Sequence, residues 1–376
     1  MPSPDRKLRL GLIGPTLPYR SGIAQHSTML HRALRQMLEL TTISFTRQYP
    51  AWLFPGESDR DPYNESHSEP GVSYVIDSLD PRSWARAVKM LEDARVEAVV
   101  LPWWTIYFAP CYLYLKRAFA RRGIPLVFLC HNVVDHEAAL YKTMLSKLVL
   151  SGARGYCVQS REEQGRLKKL LPDAHVVIHP HPLYDQFPPA SVELPRRAAL
   201  ELLFFGLVRP YKGLDVLLEA MALVQRKDVH LSVVGEFWKD KETTLQRIEQ
   251  LGIASRVEVV PRFVSDQEAA DYFARADVVV LPYRSASGTG IIPMAYHYDK
   301  PVIATRIGGL ADAVNDGATG FLVEPESPRA LAAAIDRVVP AKLSALRPHI
   351  EAFKAGMTWE GLAEALIGLT GAADQR

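Results

Sequence analysis

The sequence predicts an α/β protein made of two doubly wound, parallel-sheet domains facing a cleft. Three observations carry that expectation. Short apolar runs alternate with stretches of helical periodicity along almost the whole chain, the pattern of parallel strands joined by helical crossovers. A proline-rich break, His179-Pro180-His181-Pro182 followed by Pro188-Pro189 and Pro195, divides the alternation into two blocks. The length of 376 residues exceeds one ordinary core and suits two domains of ~100–200 residues each.

In the first block, residues 8–13 form a compact apolar run ended by Gly14-Pro15, which suits a buried parallel strand. Residues 23–38 then repeat apolar side chains at helical spacing, with Met29, Leu30, Ala33, Leu34 and Met37 on one face. Further strands are expected at 42–45, 72–76, 98–101, 126–129, 155–158 and 176–178, with helices at 81–93, 108–122, 136–150 and 161–171. Residues 49–71 are a polar, proline-containing insert without periodicity, the length at which a loop is usually functional or mobile. The second block reads as strands at 200–205, 229–234, 257–260, 278–281 and 302–304, with helices at 214–224, 243–251, 266–276, 291–298 and 328–339. Residues 310–314 and the turn Asn315-Asp316-Gly317 lie between the last strand and the last of these helices. A closing helix from Thr358 to about 369 stands outside this alternation and is expected to pack back on the first domain. The domains are therefore drawn at 1–185 and 186–356, with 357–376 as the returning helix.

Composition narrows the function. Hydrophobic residues make up 48% and charged residues 23% of the chain, values of a soluble globular protein. The formal net charge of +2 lacks the basic footprint of a nucleic-acid binder. Cys111, Cys130 and Cys157 offer neither a disulfide framework nor metal-ligand spacing, and read as buried thiols of a reducing, cytoplasmic compartment. The polar start and short first apolar run do not resemble a signal peptide. Residues 98–115 carry no charge, but Pro102 and Pro110 interrupt them, so a strand followed by a helix is preferred to a membrane span. His175, His179 and His181 lack a fourth ligand, so no metal is expected.

Four loops that follow strands could carry chemistry. Ser285-Ala286-Ser287-Gly288-Thr289-Gly290-Ile291-Ile292-Pro293 combines small residues with a helix start, which aims backbone N–H groups at an anion. Pro293 occupies the place where a dinucleotide fingerprint needs its third glycine, which argues against NAD. Gly206-Leu207-Val208-Arg209-Pro210-Tyr211-Lys212-Gly213 puts a guanidinium and an ammonium at the end of a buried strand, a pair suited to a diphosphate. The plainer reading of each is a solvated turn. Pro15 to Ala24 offers Gly22 at a helix start, and Tyr19 beside it. Cys130-His131-Asn132-Val133-Val134-Asp135-His136-Glu137 sets His131 at a strand end, where it could touch a substrate; His136-Glu137-x-x-Leu140 lacks the second His of a zinc-protease motif. The basic run Lys116-Arg117-x-x-x-Arg121-Arg122 suits peripheral contact with anionic lipid, although such runs are more often solvated.

Several blocks then resemble the retaining glycosyltransferases of family 4, the GT-B glycosyl transferases of group 1. They are Lys212-Gly213-Leu214-Asp215-Val216-Leu217-Leu218-Glu219-Ala220-Met221, Leu231-Ser232-Val233-Val234-Gly235-Glu236, Arg262-Phe263-Val264-Ser265-Asp266, and Ala276-Asp277-Val278-Val279-Val280-Leu281-Pro282. Pro301-Val302-Ile303-Ala304-Thr305, Gly308-Gly309, Asp316-Gly317-Ala318-Thr319-Gly320-Phe321-Leu322-Val323 and Thr358-Trp359-Glu360 continue the family order. The match is dense from about 200 to 370 and thinner before it.

The resemblance implies two Rossmann-like domains and transfer of a hexose from a UDP- or GDP-sugar to a hydroxyl of a glycan or glycoconjugate. Anomeric configuration would be retained, with no metal or cofactor required. By the same resemblance, Arg209, Lys212 and the amides of Ser287, Gly288, Thr289, Gly290 and Ile291 would hold the donor phosphates, with Gly22 opposite. Glu236, Arg262, Phe263 and Val264 would flank the base, and His131 would touch the donor sugar. Tyr19, Trp103, Trp104, His136 and Glu137 would lie on the acceptor side in the first domain, though paired Trp after a strand could equally be core. The sequence departs from the family at two places. The family's two Glu, separated by seven residues, are replaced by Ala286 and Met294, and its phosphate-strand Arg is displaced to Arg209, with Leu207 at the usual place. These gaps leave a catalytically silent scaffold as the alternative to an active enzyme, with a sugar-nucleotide epimerase as a weaker third reading.

Overall fold

The structure, a computed structural model, describes residues 7–50, 59–63, 68–134 and 140–371. It divides into two compact units, Met1–Pro180 with Trp359–Arg376, and His181–Thr358. Both are Rossmann-like α/β units built on parallel sheets.

The first unit runs β1 (Arg9–Ile13), α1 (Gly22–Met37), β2 (Glu39–Arg47), β3 (Val72–Asp77), α2 (Pro81–Asp93), β4 (Ala98–Trp103), α3 (Ala109–Ala120), β5 (Leu126–Cys130), α4 (Leu140–Leu150), β6 (Gly155–Val158), α5 (Arg161–Leu170) and β7 (Val176–Ile178). Its strands lie in the order β3-β2-β1-β4-β5-β6-β7, every pair parallel. Strands β4, β5 and β6 are buried at every position, because helices cover both faces of a parallel sheet and leave no polar side. Local chemistry starts the helices: Asp80 accepts from the Arg82 amide ahead of Pro81, and Ser160 accepts from the Glu163 amide as the N-cap of α5.

The second unit runs β8 (Leu200–Phe205), α6 (Leu214–Leu223), β9 (Val229–Val234), α7 (Lys241–Gln250), β10 (Val257–Val260), α8 (Asp266–Arg275), β11 (Val278–Leu281), α9 (Ile291–His297), β12 (Val302–Thr305), α10 (Gly308–Ala313), β13 (Gly320–Val323), α11 (Pro328–Asp336) and α12 (Pro340–Lys354). The strand order is β10-β9-β8-β11-β12-β13, again parallel throughout. Two elements were not foreseen. Strand β13 opens on Gly320 and pairs along β12 from Val302 to Thr305, a tertiary contact with little local signal. Helix α12 contains Pro348 and buries only Leu346 and Ile350, so its apolar stripe is too sparse to read as periodicity.

The topology locates the useful surface. Strand order reverses between β1 and β4 in the first unit and between β8 and β11 in the second. Loops that leave neighbouring strands in opposite directions open a crevice at the carboxyl ends of those strands. In the second unit the loops beside that point are 206–213 and 282–290, the two expected to hold phosphate.

Cys111, Cys130 and Cys157 are free and buried, and burial raises all three thiol pKa values, Cys157 to about 12. They are therefore core side chains, not reactive thiolates. Among the described residues no helix is long and apolar enough to cross a membrane.

The last helix, α13 (Trp359–Leu369), belongs to the first unit. It buries Trp359, Leu362, Ala363, Leu366 and Leu369 and packs on α1, β5 and β6. Contact with β6 is close: a Cβ on Gly155 would stand 2.7 Å from Leu369 Cδ2. Leu366→Ala is expected to destabilise the first unit by about 2–5 kcal/mol, read as a lowered denaturant midpoint. An unchanged midpoint would show that α13 adds no stability there.

Candidate functional site

In the second unit the site grows from the end of β8. Gly206 has φ of +95°, and a Cβ there would meet Lys212 Nζ at 3.1 Å and Ile291 Cδ1 at 3.4 Å. The ammonium and the start of α9 therefore converge over one glycine. A 3-10 turn at Pro210–Lys212 carries Lys212 back toward the strand end. Gly213 ends that turn in the left-handed region, and any Cβ there would stand 2.0 Å from the Pro282 carbonyl oxygen. Only glycine lets the two loops approach so closely.

Lys212 is 8% exposed and makes no ion pair among the described residues. Burial, and after it the positive charge of Arg209, pushes its ammonium pKa down to about 8. Arg209 lays its guanidinium over the Trp238 ring, 3.7 Å from the centroid. The Tyr283 ring centroid lies 5.6 Å from Lys212 Nζ. Two cations thus sit side by side in a largely apolar setting, a charge distribution that favours an anion between them.

Arg284, which the sequence reading passed over, fastens the two loops together. Its guanidinium donates to both oxygens of Asp215 at 2.8 and 2.7 Å and to the Pro210 carbonyl at 2.8 Å. Its amide donates to the Tyr211 carbonyl at 2.7 Å, and Glu326 adds an ion pair at 3.2 Å. Its signal was available as a cation directly after the β11 strand. Trp238 and the linker residue Tyr184 had no such signal.

The small-residue loop is more occupied than its composition suggests. The Thr289 hydroxyl accepts from the Ile291 amide at 3.2 Å, so one amide expected to hold phosphate already has a partner. Tyr184 packs against Gly290, where a Cβ would stand 2.8 Å from its ring; that glycine makes room for Tyr184. Ser287 is buried with its carbonyl against Gly309, while a Cβ on Gly288 would meet open space. Ala286 and Met294 are both buried, 7% and 3% exposed, and neither supplies a carboxylate.

The residues expected at the base divide. The Glu236 carbonyl accepts from the Val208 amide at 2.8 Å, and the Trp238 amide donates to the Val208 carbonyl at 3.1 Å, which joins the loops after β8 and β9. Arg262 is committed to a bidentate pair with Glu268 at 2.8 and 2.5 Å. Phe263 is half-buried and Val264 buried in the loop that follows.

In the first unit, the backbone N–H of His131 donates to the Trp103 carbonyl at 2.8 Å. Its ring Nδ1 lies 3.3 Å from Gln159 Oε1, and the same amide's Nε2 lies 2.9 Å from His26 Nε2. His26 stands edge-on to His131 at 4.6 Å and to Trp359 at 4.8 Å. Gln159 therefore bridges two imidazoles: it accepts from one and donates to the other, which favours the His131 tautomer protonated at Nδ1. His26 was invisible in the sequence, as a single His inside a helical pattern.

Three expected acceptor-side residues belong to the core instead. Trp103 is 1% exposed and donates to the Val133 carbonyl at 3.3 Å, while buried Glu163 accepts from the Val133 amide at 2.5 Å. Trp103 thus positions the segment after His131 from beneath. Trp104 packs on Phe108 and donates to the Tyr49 hydroxyl at 3.0 Å. Tyr19, 1% exposed, donates to the Phe45 carbonyl at 3.1 Å. A flat aromatic after a strand loses more water by filling the core than by facing a sugar. Gly22 begins α1 behind the Ser21 cap, with open space where its Cβ would be. His136 and Glu137 lie outside the described residues. Among those residues no group of three or more His, Cys, Asp or Glu is placed to hold a metal ion.

Residues 199–340 match the family model described as glycosyl transferases group 1. That segment is similar to a glycosyl transferases group 1 domain. The chain is 30% identical over 272 residues to the D-inositol 3-phosphate glycosyltransferase of Streptomyces scabiei, covering 63% of this chain and 61% of that protein. A second such enzyme, from Catenulispora acidiphila, is 29% identical over 280 residues, 66% of each chain. The match thus spans less than two thirds of either relative's length. Among solved structures, sucrose-phosphate synthase from Thermosynechococcus elongatus superposes with a TM-score of 0.74 at 20% identity, covering 98% of this chain and 100% of that one. Anabaena HepE in complex with UDP gives a TM-score of 0.74 at 17% identity, covering 96% and 98%. These likenesses show the fold, which is that of the GT-B glycosyltransferases.

Arg284→Ala is expected to speed amide hydrogen exchange in 206–213 and 282–290 while the sheet stays protected. Equal exchange in the variant and the natural protein would mean that Arg284 does not hold these loops.

Proposed function

We propose that this protein transfers a hexose from a UDP- or GDP-sugar to a hydroxyl of a glycan or glycoconjugate, with retained anomeric configuration and no metal, in the cytoplasm. The observation that carries the reading is Lys212, a buried ammonium with no carboxylate partner among the described residues, next to Arg209 at the strand-order reversal of the second unit. A buried cation without a counter-ion is costly unless a ligand brings the charge. A diphosphate does so.

The chemistry follows from charge. The bond from the anomeric carbon to the diphosphate oxygen breaks, a bond to the acceptor oxygen forms, and the acceptor's proton leaves on the departing diphosphate. Negative charge grows on that diphosphate in the transition state, so Lys212 and Arg209 stabilise it most when it matters. The open Gly288 backbone can approach the same phosphates. His131, held by Gln159, is assigned to the donor sugar. The group 1 domain match, and the UDP held by Anabaena HepE, support a nucleotide donor.

The silent-scaffold reading retains one specific support: Ala286 and Met294 are buried where two carboxylates would be expected from the family resemblance. Calorimetry with UDP and GDP separates the two readings, because a scaffold without a donor site binds neither. A donor screen scored for released nucleotide diphosphate then identifies the sugar, and the product anomer tests retention.

Lys212→Ala and Arg209→Ala are each expected to lower kcat by about 10²–10³ and to raise donor KM. Unchanged kinetics in both would remove the phosphate assignment. His131→Ala should cut turnover by about 10²-fold or more while UDP still binds. The Lys212 titration has its own signature. Diphosphate favours the protonated ammonium, so affinity is level below pH about 8 and weakens as pH rises through that value. Calorimetry above that pH, in buffers of different ionisation enthalpy, should show proton uptake on UDP binding; Lys212→Met should abolish it.

A further inference from the structure

Helix α4 turns an apolar face to solvent. Along Leu140–Leu150 the exposed side chains are Leu140, Tyr141, Met144, Lys147 and Leu148, while Ser146, Val149 and Leu150 are buried. At 3.6 residues per turn these five exposed positions fall within an arc of about 120°. Leu140 at 86% and Met144 at 72% are the most exposed large hydrophobic side chains among the described residues. Tyr114, also exposed, stands on α3, which packs against α4.

The charge on α3 and α4 is basic. Residues 109–134 and 140–154 contain seven Lys and Arg and no Asp or Glu, with Asp135 and Glu137 between the two stretches in sequence. The basic run on α3 does not act as one unit, contrary to its appearance in the sequence. Lys116 donates to the carbonyls of Leu148, Val149 and Ser151 at 2.5, 3.3 and 2.8 Å and so caps α4, and Arg122 pairs with Glu92 at 3.2 Å. Arg117 and Arg121 remain exposed, as does Lys147 on α4.

We propose that α4 and the basic edge of α3 dock the protein on an anionic lipid bilayer. Leu140, Tyr141, Met144 and Leu148 enter the boundary between headgroups and acyl chains, while Arg117, Arg121 and Lys147 lie among the lipid phosphates. Complementary charge selects this occupant. A second copy meeting the same face would set exposed Arg117, Arg121 and Lys147 against their own image, which like-charge repulsion opposes. This inference does not rest on the sugar-transfer reading, and either can fail alone.

The test is co-sedimentation of the full chain with vesicles of phosphatidylcholine alone and of equimolar phosphatidylcholine and phosphatidylglycerol. Binding is expected only to the anionic vesicles and should fall about tenfold or more as salt is raised to ~1 M, where screening is nearly complete. Leu140→Ser with Met144→Ser should lower binding at least tenfold; both side chains are exposed, so an unchanged circular-dichroism melt will show the fold intact. Arg117→Gln with Arg121→Gln and Lys147→Gln should remove the preference for phosphatidylglycerol. Natural protein that stays in the supernatant with both vesicles overturns the proposal, as does a Leu140/Met144 variant that binds unchanged. Dimerisation abolished by the Leu140/Met144 change, without vesicle binding, would reassign the face to a second copy. Failure to bind lipid until an acidic protein is added would reassign it to that partner.

Discussion

The arrangement of the second unit depends on keeping a buried ammonium at the end of β8. Lys212 has lost most of its water and gained no carboxylate among the described residues, and Arg209 adds repulsion to that cost. Such a placement would relax if the surrounding loops could move. They cannot move freely, because Gly213 lies against the Pro282 carbonyl and Arg284 joins Asp215, Pro210 and Tyr211 across the two loops. The exposed ion pairs of Arg284 contribute little energy singly, yet several directed bonds from one planar group fix geometry well. A preformed cationic hollow binds its anion without first spending free energy to assemble it.

Sequence reading was effective where the structure is governed by local periodicity. The strands β6, β8, β9 and β11 lie where the apolar runs place them, because a strand buried on both faces has no other way to be written; the half-buried edge strands β7 and β10 also lie there. It failed where tertiary pairing decides. The short β13, opening on Gly320, is a strand because β12 is beside it. Helix α12 is held by two buried side chains and tolerates Pro348. For the candidate site, glycines and cations after strands marked two loops that the fold sets beside the strand-order reversal of the second unit. Side-chain direction was not legible. Trp103 and Trp104, read as acceptor-side or core, and Tyr19, read as acceptor-side, are core side chains in the fold, and Arg262 is paired with Glu268.

The helix-tip contribution to anion binding also changes in weight. Helix α9 spans only Ile291–His297, and the amide of its first residue is already bonded to Thr289. So short a helix has few aligned peptide dipoles, and its field fades within a turn. The loop around Gly288 can still approach a ligand closely, but the attraction must come chiefly from Lys212 and Arg209.

Ala286 and Met294 bear most directly on the proposed transfer. A Glu at either place would be a buried carboxylate within the loop and helix that face the cations, and it would offset part of their charge. Without it, the cationic hollow keeps its full potential for the diphosphate, while any donor group that a carboxylate would have held must find another acceptor. Each hydrogen bond to a carboxylate lost in this way costs about 1.5–3 kcal/mol, less than the stabilisation two directed cations can give a developing diphosphate. Under the proposed transfer the loss would fall mainly on donor affinity and selectivity, and the charge-driven part of catalysis would survive it. On that balance, a weakened grip on the donor and an intact bond-breaking step are compatible in one active enzyme, and the absent carboxylates alone do not make the protein a scaffold.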